Sequence, residues 1–542
     1  MRIVVRLAVV CLFTFAAACD SSSSQPGDMG VGDGVGDATP ADAGDPTLVT
    51  TQQGPIKCKV IGGFRACLGI PYAAPPVGDL RWKPPEPPKA WTTPRDATQH
   101  GPSCWQPYTE PVLGVSVAEN FDEDCLSLAV WSPNPAPAKA PVMVWFHGGG
   151  FAIGGAATEL FSGQRLAALH DVVVVAVNYR LGPLGMMAHP ALGQGPGNFL
   201  LLDQQAALRW VQDNIRAFGG DPENVTIFGE SAGAFSCCYH LVSPKSKDLF
   251  HRAVMQSGTC MKMRTRAQAE SYGQLVSKAV GCDTASDEAK CLRDTSAKRL
   301  AEAMELPLRL HYDARPFMMP FVDGDTLLEQ PPEALANGNF NKVPLIIGSN
   351  ATEATLFLNT SELKAMDTAT MRQLVENAFS SADADKILAR YDTSSYGSPV
   401  EAMVALITDS IFTCAVRRMA RAVAAAGQPV YLYQFTHEPS VFAAVDAFLR
   451  SPHGAELLYL FGMPIPAPLP ASEKPVATAI QGYWTRFAKT SDPNGGGAAA
   501  WPRYDAASGK YLEIGVTQKE GSALQSATCD FWDTLPLELH AP

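Results

Sequence analysis

The sequence contains no C-x-x-C pair, no H-E-x-x-H and no P-loop Lys-Ser/Thr behind a glycine run. A zinc site and a P-loop nucleotide site therefore have little to build on. It also lacks any basic run: 42 Lys and Arg face 54 Asp and Glu, a net charge of −12. That balance argues against nucleic acid or an anionic membrane surface as partner. What is present is 46% apolar residues in 542, enough for a large core. Single α/β enzymes with long insertions reach this length, so it does not by itself require several domains.

The N-terminus reads as a targeting segment. Arg2 and Arg6 precede an apolar stretch, Leu7 to Ala18, too short for the ~20 residues of a spanning helix. Residues 1–18 are therefore a signal peptide. Ala16, Ala17 and Ala18 lead into Cys19, so either ordinary A-x-A cleavage or cleavage before a lipidated cysteine fits. The second resembles a bacterial lipobox, with Ala16 where that pattern more often has Leu. Residues 19–45 are Ser-, Gly- and Asp-rich and bury nothing, a flexible tether. A tether favours the lipid-anchored reading at Cys19: an exported bacterial lipoprotein facing periplasm or cell surface, with soluble secretion as the alternative. Eleven cysteines remain in the mature chain, an odd number, and in an oxidising compartment most of them should form disulfides.

Residues 46–542 read as one continuous domain. Val142 to Phe146, Val172 to Val177, Val225 to Phe228, Pro344 to Ile347 and Val430 to Phe435 are short runs apolar on both faces. Such runs suit the strands of a buried parallel sheet. After Asp203, Ala207, Trp210, Val211, Asn214 and Ile215 follow helical spacing, closed by Gly219 and Gly220. Strands alternating with helices predict a doubly wound α/β fold, its mostly parallel sheet flanked by helices.

Gly229-Glu230-Ser231-Ala232-Gly233 stands between the strand at Val225 to Phe228 and a helix from Ala232 to about Leu241. A sharp strand-to-helix turn thrusts the middle serine into the open, and the helix N-terminus adds positive potential. The bland alternative is a glycine turn with a solvated serine. Upstream, His147-Gly148-Gly149-Gly150-Phe151 follows the strand Val142 to Phe146 and offers backbone N–H groups unobstructed by side chains, as an oxyanion hole requires. Alone it could be a flexible loop or a phosphate nest, although no P-loop Lys-Ser/Thr follows to support phosphate. The pair of motifs together predicts a nucleophilic serine.

Such a serine needs a base and an acid, in the order Ser, Asp/Glu, His. His437, directly after the strand Val430 to Phe435, and His453, in Pro452-His453-Gly454-Ala455-Glu456, both qualify as base. The residues alone do not separate them. Glu353 lies shortly past the strand Pro344 to Ile347, with Asp323 and Asp325 as rivals by position.

The chain resembles the carboxylesterase type B family, which includes cholinesterases and bacterial para-nitrobenzyl esterases. The likeness spans nearly the whole mature chain. It includes Gly69-Ile70-Pro71-Tyr72-Ala73, Glu123-Asp124-Cys125-Leu126, Asn178-Tyr179-Arg180, Gly219 to Thr226, Tyr483-Trp484 and Cys529 to Asp533. The resemblance implies an α/β-hydrolase with long insertions forming an active-site gorge. It also implies an ester hydrolase that works through an acyl-enzyme and needs no metal or organic cofactor. Carried over by motif, the nucleophile is Ser231, the acid Glu353 (with Ala354 where the family has Gly), the base His453, and the oxyanion donors Gly149, Gly150 and Ala232. It further implies ion pairs Arg81–Glu123 and Arg180–Asp203, and disulfides Cys104–Cys125, Cys282–Cys291 and Cys414–Cys529.

Cys58 and Cys67 are near enough in sequence to pair across a hairpin. Cys237 and Cys238 read as buried small hydrophobes, and Cys260 is left over. Cholinesterases carry a Trp where this chain has Val115, with Trp105 and Tyr108 out of register; that argues against choline esters. The expected substrates are small to medium apolar esters. The rival readings are a lipase, thioesterase or carbamate hydrolase on the same triad, and a non-catalytic binding protein, against which the intact Ser231, Glu353 and His453 argue.

Overall fold

The apolar runs become the strands of one large sheet. The computed structural model describes residues 45–107, 118, 120–303, 318–462 and 469–535, so the expected signal at residues 1–18, Cys19, Tyr108 and Val115 lie outside the described residues. In chain order the strands are β1 (Lys59–Ile61), β2 (Phe64–Pro71), β3 (Ser127–Pro133), β4 (Ala140–Phe146), β5 (Val173–Val177) and β6 (Gly220–Glu230). Then come β7 (Arg252–Gln256), β8 (Leu345–Asn350), β9 (Val430–Phe435), β10 (Tyr511–Ile514) and β11 (Lys519–Gly521). They lie side by side as β11-β10-β9-β8-β7-β6-β4-β5-β3-β2-β1. From β5 to β10 every neighbouring pair is parallel, and the strands outside that block are antiparallel.

Alternation along β4 shows why both faces are apolar. Val142, Val144 and Phe146 enter one core, while Met143 and Trp145 enter the other. Helices α1 (Phe199–Asn214) and α2 (Ala232–Val242) cover the first face. Helix α4 (Lys474–Thr490) covers the second with Ile480, Tyr483, Trp484 and Phe487. A parallel sheet buried on both sides is the outcome that these continuous apolar strands dictate. The family fold, an α/β-hydrolase, is therefore present.

A third core lies in the insertion between β8 and β9, where Met371, Ile387, Met403 and Ile407 join Cys529 and Trp532. Here a long apolar helical run, Pro399–Ala425, is mostly buried inside the fold. Its middle, Thr408–Thr413, winds as a π-helical turn before α3 (Cys414–Ala425) resumes. Such a turn widens one loop of the backbone and re-aims the side chains on it. Phe412, on this turn, packs on the His453 ring.

Disulfides join Cys104 to Cys125, Cys282 to Cys291 and Cys414 to Cys529, the pairs that the resemblance implies. Cys58 pairs with Cys67 across the β1–β2 turn. Cys238 is a correction: it bonds to Cys260 rather than sitting as a small hydrophobe. Successive helical residues point about 100° apart, so Cys238 faces the segment after β7 while Cys237 stays a free thiol in the core. The five disulfides among the described residues fit an exported protein.

Candidate active site

Ser231 stands at the junction of β6 and α2 with φ +55° and ψ −122°. A non-glycine residue held there is strained, and the surroundings fix it. Its N–H donates to the Gln256 carbonyl at 2.9 Å, and its own carbonyl accepts from Phe235 N–H at 3.0 Å. The turn is tight enough to exclude side chains on either side. A Cβ on Gly229 would lie 2.4 Å from the Gly233 carbonyl carbon, and one on Gly233 would lie 1.9 Å from the Phe146 oxygen. The two glycines are thus a steric requirement of the turn.

The loop after β4 lies against this serine. A Cβ on Gly148 would sit 3.3 Å from Ser231 Cβ. Gly149 and Gly150 take φ +103° and +61°, and among the described residues no protein acceptor takes up their N–H groups or that of Ala232. The loop is pinned from both ends. The His147 ring stacks on Tyr179 at 4.3 Å, and the Tyr179 hydroxyl donates to the His147 carbonyl at 2.6 Å. Gln106 exchanges two hydrogen bonds of 2.8 Å with the Gly154 backbone. Burial lowers the His147 pKa to about 4, so it stays neutral and structural.

Glu353 and His453 meet across 100 residues. Glu353 Oε2 lies 2.6 Å from His453 Nδ1, and Glu353 Oε1 accepts Asn350 N–H at 2.6 Å. Asn350 Nδ2 donates to the Pro452 carbonyl and to Glu456 Oε2, both at 2.7 Å, holding the histidine loop to the end of β8. Glu456 Oε1 accepts from Gln256 Nε2 at 2.9 Å, and Gln256 is the residue whose carbonyl receives the Ser231 N–H. One buried network therefore fixes serine, histidine and glutamate loops relative to one another. The Phe357 and Phe412 rings pack on the imidazole, each 5.0 Å away.

The rivals fall elsewhere. His437 is 3.9 Å from Glu473 and edge-on to Tyr459. Asp323 accepts the N–H groups of Asp325, Thr326 and Leu327, a turn-forming task. Asp325 pairs with Lys245 at the surface. Arg81 grips Glu123 through two bonds of 2.5 and 2.6 Å, and Arg180 grips Asp203 through bonds of 2.8 and 2.7 Å.

Comparison with known sequences agrees with this geometry. The profile of the carboxylesterase family matches residues 45–532. The chain belongs to the carboxylesterase family. It is 34% identical over 526 residues to carboxylesterase 1C of Rattus norvegicus, covering 90% of this chain and 93% of that protein. It is 35% identical over 496 residues to a medium-chain fatty acyl-CoA hydrolase precursor of Anas platyrhynchos, covering 86% and 87%. It is also 34% identical over 529 residues to acetylcholinesterase of Bungarus fasciatus, covering 91% and 87%. This carboxylesterase is a serine ester hydrolase.

One residue of the site escaped the sequence reading. Glu230, the variable position of the serine motif, is buried, and its Oε1 lies 3.0 Å from His453 Nε2. The two atoms are close without the alignment of a hydrogen bond, and no hydrogen bond joins Ser231 Oγ to Nε2. Burial raises Glu230 well above the usual carboxylate range, with Glu456 and Glu353 adding to it against the pull of His453. For His453, burial alone would lower the pKa, but Glu230 and then Glu353 outweigh it and raise it. Only the variable slot's identity, Glu beside Ser, signalled this in the sequence.

Proposed function

We propose that Ser231 attacks the ester carbonyl carbon of small to medium apolar esters while His453 Nε2 takes the hydroxyl proton. Glu353 orients the imidazole through Nδ1–H and stabilises its charged form. The N–H groups of Gly149, Gly150 and Ala232 bind the oxyanion. His453 then gives its proton to the leaving alcohol. In the second half, His453 takes a proton from water as that water attacks the acyl-Ser231 carbon, which releases the carboxylic acid and restores Ser231. No step calls for a metal or organic cofactor. The 2.6 Å contact between Glu353 and His453 carries the reading, set in the network that also holds the Ser231 turn. In an unliganded site the serine–histidine bond is often long and tightens when substrate binds.

Choline esters are disfavoured by Val115 standing where cholinesterases have Trp. Fatty acyl thioesters are the second reading, favoured by the duck acyl-CoA hydrolase among the relatives. The chain is anchored to a membrane through a lipid on Cys19, a reading that rests on the sequence of residues 1–45.

Hydrolysis of para-nitrophenyl acetate, butyrate and palmitate by the purified chain and its Ser231→Ala variant tests the mechanism. Rapid turnover in the parent and its loss in the folded variant are expected. Equal turnover in both would remove Ser231 from the reaction.

A further inference from the structure

Tyr483 and Trp484 are among the residues that carry the family resemblance, and the proposed mechanism uses neither. Trp484 is fully buried on α4, edge-on to Tyr433 of β9 at 5.4 Å and 5.9 Å from the Trp501 ring. Packing of that kind needs only the ring. The indole N–H does something more specific: Nε1 donates to Gln256 Oε1, at the end of β7, at 3.0 Å.

That bond decides which way an amide points. The two ends of a Gln side chain have nearly the same shape, and only its partners tell one orientation from the other. An indole N–H donates and cannot accept. It therefore selects the oxygen of Gln256 and turns Nε2 to Glu456 Oε1 at 2.9 Å. The same logic acts on the other oxygen of Glu456. The Pro452 carbonyl only accepts, so it selects Asn350 Nδ2, and that nitrogen also donates to Glu456 Oε2 at 2.7 Å. Each oxygen of Glu456 thus faces an N–H, and hydrogen bonds to the charged form favour it.

The rest of the surroundings oppose that charge. Burial raises the Glu456 pKa and Glu353 adds to it, while Asn350, a backbone contact and Gln256 pull it back. Glu230 at the end of β6, Tyr433 of β9 and His453 on its own loop are the other titratable groups in its electrostatic reach. The charge bears on the base. Burial would lower His453; Glu230 and Glu353 first, and Glu456 after them, raise it.

We propose that Trp484 is a positioning residue: its N–H holds Gln256 in the orientation that presents N–H to Glu456, and so keeps Glu456 ionised near the His453 imidazole. A helix on the face of the sheet away from α2 thereby sets the proton balance of the site. The effect on turnover rests on the reading of His453 as the base for Ser231; the protonation state of Glu456 does not.

Trp484→Phe in the full chain tests it. Without the N–H nothing selects one amide orientation, and the flipped form presents an oxygen to Glu456, which then keeps a proton. Infrared spectra at neutral pH are expected to gain one carboxylic-acid C=O band over the parent. The acid limb of kcat/KM on para-nitrophenyl butyrate is expected to move down by about one pH unit, the low end of what a neighbouring charge does. A ring that only filled space would move neither. Benzothienylalanine at 484, with sulfur in place of the N–H, repeats the deletion at nearly constant volume and carries the test if Trp484→Phe does not fold. Combined with Glu456→Gln, either replacement is expected to add no band and no further shift. An unchanged spectrum or an unchanged limb in the folded variants overturns the proposal, as does a shift that persists beside Glu456→Gln. The infrared comparison repeated on Ser231→Ala needs no turnover, so it separates failure of this proposal from failure of the ester mechanism.

Discussion

Glu230 Oε1 and His453 Nε2 lie 3.0 Å apart, on the side of the imidazole opposite the 2.6 Å contact with Glu353. The ring is thus held between two buried carboxyls. Both Glu230 and His453 are shifted upward, Glu230 by burial and His453 by the charges of Glu230 and Glu353 overcoming burial. Two titrating groups this close share their protons as a pair. In the proposed mechanism a proton kept on His453 by ionised Glu230 would remove the base, and Glu230 would then set when the base is available.

Replacing Glu230 by Gln keeps the shape and deletes that charge. The first cause lifting His453 against burial is then gone, and its pKa falls. The acid limb of the kcat/KM profile is expected to move to lower pH, by about one to two units on the scale of a single neighbouring charge. A limb that stays in place, measured on a neutral ester, would show that Glu230 already carries the proton and does not control the base.

Gly149→Ala tests the oxyanion loop. Its φ of +103° disfavours any side chain, and a Cβ there would lie 2.3 Å from the Ile153 carbonyl oxygen. The loop must shift, taking the Gly149 and Gly150 N–H groups with it. A fall in kcat of about 10²-fold or more is expected, the scale of losing one oxyanion donor, with KM changed far less. Unaltered kcat on para-nitrophenyl butyrate would place the donors elsewhere.

The sheet was legible in the sequence because parallel strands buried on both faces read as plain apolar runs. The run Val430 to Phe435 coincides with β9, and the serine turn followed from its glycines. The two outermost strands, Lys59–Ile61 and Lys519–Gly521, are short and largely exposed and so leave no such run. The choice between His437 and His453 was closed to local reading. Both follow strands in loop sequence, and only tertiary contact brings one of them to Glu353. The π-helical turn at Thr408–Thr413 has no proline or glycine to announce it. Cys238 was misread for a related reason: its partner Cys260 lies past the next strand, and nothing in the spacing marks the pair.

Disulfide removal should rank by the loop each bond closes. Cys414–Cys529 spans 115 residues and Cys282–Cys291 spans 9. Loop-closure entropy assigns about 4.7 kcal/mol to a closure near 100 residues and about 3 kcal/mol to one near 15. Paired Cys→Ala replacement at 414 and 529 should therefore destabilise the chain by about 2 kcal/mol more than at 282 and 291. Denaturant unfolding measures the difference, and the reverse ranking would mean that native-state packing around Trp532, not chain entropy, sets the effect.

The π-helical turn carries a titratable group of its own. Asp409 is buried there and accepts a hydrogen bond from the Tyr391 hydroxyl at 3.0 Å, while Trp532 Nε1 donates to that same hydroxyl at 2.7 Å. Burial raises its pKa from 3.8 to about 6, against the opposing pulls of Tyr391 and Arg390. A carboxyl whose folded pKa is raised stabilises fully below its unfolded pKa. That stability is lost as pH climbs through the folded value, because the buried group must then ionise. Asp409→Asn keeps an acceptor for Tyr391 and removes the charge. Above about pH 6 the variant is expected to be more stable than the parent, by on the order of 2–3 kcal/mol. Near pH 4, where Asp409 is protonated, the two should converge. Thermal melts at pH 4 and pH 8 decide it: a variant that melts below the parent at pH 8 would show the ionised carboxylate to be held by its partners rather than opposed by burial.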